Sequence, residues 1–84
     1  KEKEMDKELQ DYYEKLLELF STDGWKQYIE DISDNIEHLM DITTIPDEKQ
    51  FWFRRGQIEA AQRILAYESS IKNSYEDFER EAHA

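Results

Sequence analysis

From Met5 onward, apolar side chains return at steps of four and three residues: Met5, Leu9, Tyr12, Leu16 and Leu19, with Tyr13, Leu17 and Phe20 beside that row. Such spacing places one stripe along a helix that packs lengthwise against a neighbour. Glu and Lys fill the remaining positions, as on a solvated face with supporting ion pairs. The pattern predicts a first helix over about 4–20. Ser21-Thr22-Asp23-Gly24 then interrupts it. A Ser, Thr or Asp oxygen can accept from a free backbone N–H, so this is a restart signal. Thr22 is the expected N-cap, with Asp23 in the first turn where the helix dipole favours an anion.

A second row follows at Trp25, Ile29, Ile32, Ile36, Leu39 and Thr43, with Tyr28 and Met40 beside it. It predicts a helix over about 23–43. Thr43-Thr44-Ile45-Pro46-Asp47 ends that helix, because proline cannot continue it and sits well near the start of the next. Thr44 or Asp47 is the expected cap. A third helix is predicted over about 47–81, with Phe53, Gln57, Ala60, Ile64, Tyr67, Ile71, Ser74 and Phe78 in register. Phe51, Ile58, Ala61 and Leu65 widen its first half and Tyr75 its second. Gly56 costs that helix about 1 kcal/mol relative to alanine; with Ala60 and Ala61 nearby, it lets another helix approach closely.

The fold class that follows is all-α, in one domain spanning residues 1–84. The favoured architecture is a long antiparallel hairpin whose first arm, residues 4–43, is kinked at Thr22. Each arm is roughly 50–60 Å long at about 1.5 Å per residue. This pairs Tyr67, Ile71, Tyr75 and Phe78 with the first helix, and sets Arg54 and Arg55 across from the acids around Asp34 and Glu37. The alternative is a three-helix bundle folded back at Thr22, whose C-terminal helix protrudes and whose Ile71 and Phe78 need a second chain. Either arrangement leaves apolar rows partly uncovered, so a homo-oligomer is expected.

Charge narrows the partners. Eleven basic residues against twenty-one acidic ones give a net charge of −10. Such a surface repels phosphates, and direct nucleic-acid binding is not expected. A chain of 84 residues without cysteine has neither disulfides nor thiolate zinc ligands to support a small core. No apolar run has the length of a membrane span, which fits a cytoplasmic chain.

Candidate chemistry is sparse. Asp31, Asp34, His38 and Asp41 share one helix face, as metal ligands in a bundle would. The other helices lack matching ligands, and a solvated acidic face is the favoured account, so no metal or other cofactor is expected. There is no nucleophile with a suitable base, no glycine-rich phosphate loop and no zinc pairing, so the chain is read as non-enzymatic. Arg54 and Arg55 offer bidentate forks for a partner carboxylate, although neutralising an acidic neighbouring helix is the commoner role. Three successive aromatics at 51–53 cannot all face inward, which leaves Trp52 as the leading contact to another chain. The candidate interaction residues are therefore Trp52, Arg54, Arg55, Tyr67, Ile71, Tyr75 and Phe78.

The run Leu19-Phe20-Ser21-Thr22-Asp23-Gly24-Trp25-Lys26, followed by Phe51-Trp52-Phe53-Arg54-Arg55-Gly56-Gln57-Ile58, resembles phrases in small uncharacterised helical proteins of tailed bacteriophages. The resemblance covers about residues 16–66. It implies a small virion-associated or assembly-linked protein, located in the infected host or the virion, with no catalytic residues to carry over. The second phrase has one more aromatic here than in that family. The main alternative function is an acidic mimic of DNA that blocks a host DNA-binding enzyme, which would need carboxylates along one exposed ridge.

Overall fold

The structure is a computed structural model that describes residues 2–82, with side chains from Asp6 onward. Three helices form in order: α1 (Glu2–Phe20), α2 (Asp23–Leu39) and α3 (Glu48–Ala82), with a single 3-10 turn at Ile42–Thr44 between the last two. Among the described residues there is no strand, and the fold is all-α.

The α1–α2 junction is two residues long and keeps the backbone largely bonded. Ser21 and Thr22 N–H groups donate to the Glu18 and Leu19 carbonyls at 3.2 and 3.0 Å. Their hydroxyls donate to the same carbonyls at 2.7 Å. Thr22 adopts an extended conformation, and its Oγ1 accepts from the Trp25 N–H at 3.2 Å, so it is the N-cap the sequence indicates. Asp47 caps α3 in the same way, its Oδ1 accepting from the Gln50 N–H at 2.8 Å.

Contacts between the arms run in opposite directions along the chain. The Tyr13 ring meets Tyr75 and Phe78 at 5.6 and 5.7 Å. Phe20 meets Tyr67 at 5.8 Å, and Trp25 donates from Nε1 to Glu68 Oε1 at 2.9 Å. Farther on, Arg54 reaches back to Thr44. Both α1 and α2 therefore lie antiparallel against α3, in a body 56 × 26 × 18 Å.

The core between the arms is thin. Phe20, Ile36, Ala61 and Ile71 are buried, and no described side chain is completely enclosed. Phe20 is the most enclosed, at 4% exposure, and burying a phenylalanine stabilises by about 2–3 kcal/mol. Its ring also contacts Trp25 at 5.1 Å.

Several expected positions shift. On α1 the inward residues are Tyr13, Leu16, Leu17 and Phe20, while Leu9, Tyr12 and Leu19 are exposed. The Met5 side chain and His83 lie outside the described residues. On α3 the inward row in the first half is Arg54, Ile58, Ala61 and Leu65; Phe53, Gln57 and Ala60 face out, as does Ser74 farther along. In both helices apolar residues stand at adjacent positions, so the stripe is wide enough to pack in either of two rotations. The row expected on α2 is the inward one as far as Leu39.

That helix stops at Leu39 and not at Thr43. Asp41 turns extended, and its carboxylate accepts from the Thr43 N–H at 3.1 Å and the Thr43 hydroxyl at 2.6 Å. The acid thus competes with the helix for backbone donors. Thr43 is exposed and part of the 3-10 turn.

Candidate interaction surfaces

At the turn end, Arg54 is taken up by backbone. Its guanidinium donates to the Thr44 carbonyl at 3.0 Å, to Thr44 Oγ1, and to the Asp41 carbonyl at 3.4 Å. Thr44 Oγ1 donates onward to the Asp41 carbonyl at 2.8 Å. The side chain therefore ties α3 to the 3-10 turn that follows α2. Arg55 points elsewhere. It pairs with Glu59 at 3.4 Å and lies 5.4 Å over the Trp52 ring, a cation–π geometry. The expected neutralisation of Asp34 and Glu37 is not what either arginine does, since the register places Arg54 over the turn and Arg55 away from α2. Gly56 likewise has no atom within 4 Å of where a Cβ would stand, so no helix of this chain approaches it.

Phe51, Trp52 and Phe53 are all exposed. Phe53, expected in the inward row, is 62% exposed, and Trp52 is 54% exposed. Phe51 lines a groove of about 340 Å³ together with Met40, Ile42, Ile45 and Ile58, edged by Arg55 and Glu59. Ile42, at 75% exposure, is the most open large apolar side chain here. Its exposure follows from the early end of α2, which the apolar period does not disclose.

At the other end, three expected interaction residues serve the chain's own packing. Ile71 is buried, and Tyr75 and Phe78 hold the Tyr13 ring. The Tyr75 hydroxyl donates to Glu79, which pushes its pKa up, with burial adding to the effect. Tyr67 is different. It is 37% exposed, and its pKa is raised by burial and by the Tyr12 hydroxyl approaching it. Tyr12 and Tyr67 thus meet at the surface, bringing the outward rows of α1 and α3 to one side of the hairpin.

Glu68 is a polar group that no motif marks. It accepts from Lys72 at 2.6 Å and from the Trp25 indole at 2.9 Å, and these bonds, in that order, hold its carboxyl below the ordinary value. The one available sign was its place at a helical step from Ala61 and Leu65. Asp41 is also held low, chiefly by the Thr43 hydroxyl and then the Thr43 N–H. Among the described residues, no three His, Asp or Glu side chains converge as a metal site would require, and Asp31, Asp34, His38 and Asp41 stay spread along an exposed face. No described helix is long and apolar enough to cross a membrane.

Comparison of the chain with family models, with curated proteins and with solved structures gives no match.

Proposed function

We propose that this chain is a non-enzymatic helical protein that acts by binding other protein chains, beginning with copies of itself. One observation carries the reading. Among the described residues, ten large apolar side chains are exposed and only four residues are buried, so much apolar surface is left outside the hairpin's thin core. A small domain gains stability by covering such surface through association. Contiguous apolar patches rimmed by charge are what protein interfaces use, and aromatic residues and arginine supply most of their binding energy. With the bacteriophage resemblance of residues 16–66, the role is virion-associated or assembly-linked.

Light scattering with multi-angle detection, at low and at high salt, tests this. Association driven by apolar burial gives a dimer or larger species at both salts. A monomer at both would overturn the reading.

A second reading draws on α2, where Glu30, Asp34 and Glu37 are exposed at helical steps and join no ion pair with a described residue. A ridge of that kind suits a mimic of DNA phosphates that occupies a basic DNA-binding enzyme. Its binding would fall steeply with salt, and a monomeric chain moves it ahead.

A further inference from the structure

The self-association proposed above leaves open which face pairs and in which direction, and the inference made here rests on that reading. Two outward rows lie on one side of the hairpin. On α1 they are Leu9, Tyr12 and Leu19; on α3 they are Phe53, Ala60 and Tyr67, spaced seven residues apart. Tyr12, Leu19, Phe53 and Ala60 each stand one position before an inward residue (Tyr13, Phe20, Arg54 and Ala61), and in antiparallel helices that offset falls on one side. Tyr28 of α2 extends it, its exposed ring lying 6.0 Å from Trp25, which itself contacts Tyr67. The body that carries this face is 56 × 26 × 18 Å, long enough to offer the roughly 800 Å² per partner of a stable interface.

Charge chooses the occupant and its orientation. Of the four cations in residues 49–67, Arg54 is held by the turn and Arg55 by Glu59, which leaves Lys49 and Arg63 outside any ion pair with a described residue. Residues 23–41, on the neighbouring arm, carry one cation and six acids. All three ion pairs among the described residues lie within α3, so none joins the two arms. Arg63 sits one turn before Tyr67, beside the apolar row. Asp31 sits one turn beyond Tyr28, on the corresponding edge of α2. Trp25 is level with Tyr67 and Glu68, and from there Asp31 and Arg63 both lie about 7–9 Å toward the turn at about 1.5 Å per residue. Arg63 has no ion-pair partner among the described residues, and Asp31 accepts only from Gln27, at 2.8 Å.

We propose that two copies pair through this face about a two-fold axis parallel to the hairpin's length, α3 of each covering α2 of the other, with Arg63 facing the partner's Asp31. That axis keeps levels along the hairpin and exchanges its two arms, so Arg63 of each copy meets Asp31 of the other. A two-fold axis across the hairpin would lay α3 over the other copy's α3 instead and leave Arg63 and Asp31 without an opposite charge. Ala60, with Gly56 one turn away, keeps the centre of the face low enough for the helices to approach.

The test exchanges the charges in the full chain, with helicity followed by circular dichroism. Arg63→Asp sets Asp against Asp31 and Asp31→Arg sets Arg against Arg63, so each variant alone dimerises at least about tenfold more weakly. Mixing the two restores dimer mass, because each interface then pairs an acid with an arginine. The chain bearing both exchanges also dimerises by itself. A wild-type dimer that neither single exchange weakens overturns this face and orientation while leaving self-association intact. A wild-type assembly larger than a dimer overturns the two-fold closure, and a wild-type monomer overturns both this inference and the self-association beneath it.

Discussion

The free-end half of the hairpin and the turn half use the same residue types in opposite directions. Near the free ends, the rings of Tyr13, Phe20 and Trp25 meet those of Tyr67, Tyr75 and Phe78 across the arms at 5.6 to 6.4 Å. Near the turn, the inward positions apart from Arg54 are aliphatic, among them Ile36, Leu39, Ile58 and Ala61, and Phe51, Trp52 and Phe53 stand outside. All three rings near the turn are therefore at the surface, whereas toward the free ends Tyr13, Phe20, Tyr75 and Phe78 pack inward and Tyr12 and Tyr28 stay exposed. What differs is the rotation of the helix that carries each ring, set by whichever neighbouring residues the opposite arm can accommodate.

The largest effect expected from this contrast is between Phe20 and Phe53. Phe20→Ala empties the most enclosed site and should cost about 3–5 kcal/mol, enough to unfold much of a domain this small in urea titration. Phe53→Ala should change stability by no more than about 0.5 kcal/mol and act on association instead. Equal losses at the two positions would mean that the halves do not differ as described.

Much of this was legible in the chain and some was not, for identifiable reasons. The breaks were clear because Thr22, Pro46 and Asp47 have chemistry that only a helix boundary uses. The inward row of α2 was clear because Ile32 and Ile36 have polar neighbours on both sides. On α1, however, Tyr12-Tyr13, Leu16-Leu17 and Leu19-Phe20 are apolar pairs, and a period alone cannot choose between the members of a pair. Phe53-Arg54 posed the same choice on α3, where packing took the arginine inward and its guanidinium bonds the Asp41 and Thr44 carbonyls of the turn. The interaction set split for that reason: Trp52 and Arg55 remain at the surface, Tyr67 at its edge, and Ile71, Tyr75 and Phe78 in the seam.

A smaller effect separates the two acids held below their ordinary values. Glu68 ties α3 to Trp25, whereas the Thr43 bonds that hold Asp41 down lie within the turn. A carboxylate with a lowered folded pKa stabilises above its ordinary value, 4.5 for Glu68, and that contribution is lost as pH falls through the folded value. Trp25→Phe keeps a ring and removes the indole N–H, which should cost about 1–2 kcal/mol at neutral pH. It should also flatten the acid loss of stability, seen as a smaller drop in urea midpoint between pH 6 and the acid range. The same drop in wild type and variant would show that the bond to Glu68 carries no part of the pH dependence.

The smallest effect has opposite signs in two measurements. Gly56 lies within α3 with open space around it, so Gly56→Ala should stabilise the isolated chain by about 1 kcal/mol through helix propensity alone. That gain should appear as a midpoint raised by several degrees in thermal unfolding at low concentration. The added methyl also stands one turn from Ala60, where the two copies are proposed to approach, so dimerisation of the same variant should weaken. Stabilisation without weaker dimerisation would place the contact away from Gly56, on the turn-end groove or the back of α3 at Trp52. Weaker dimerisation without stabilisation would mean that α3 is already bent or bound at this position in the isolated chain.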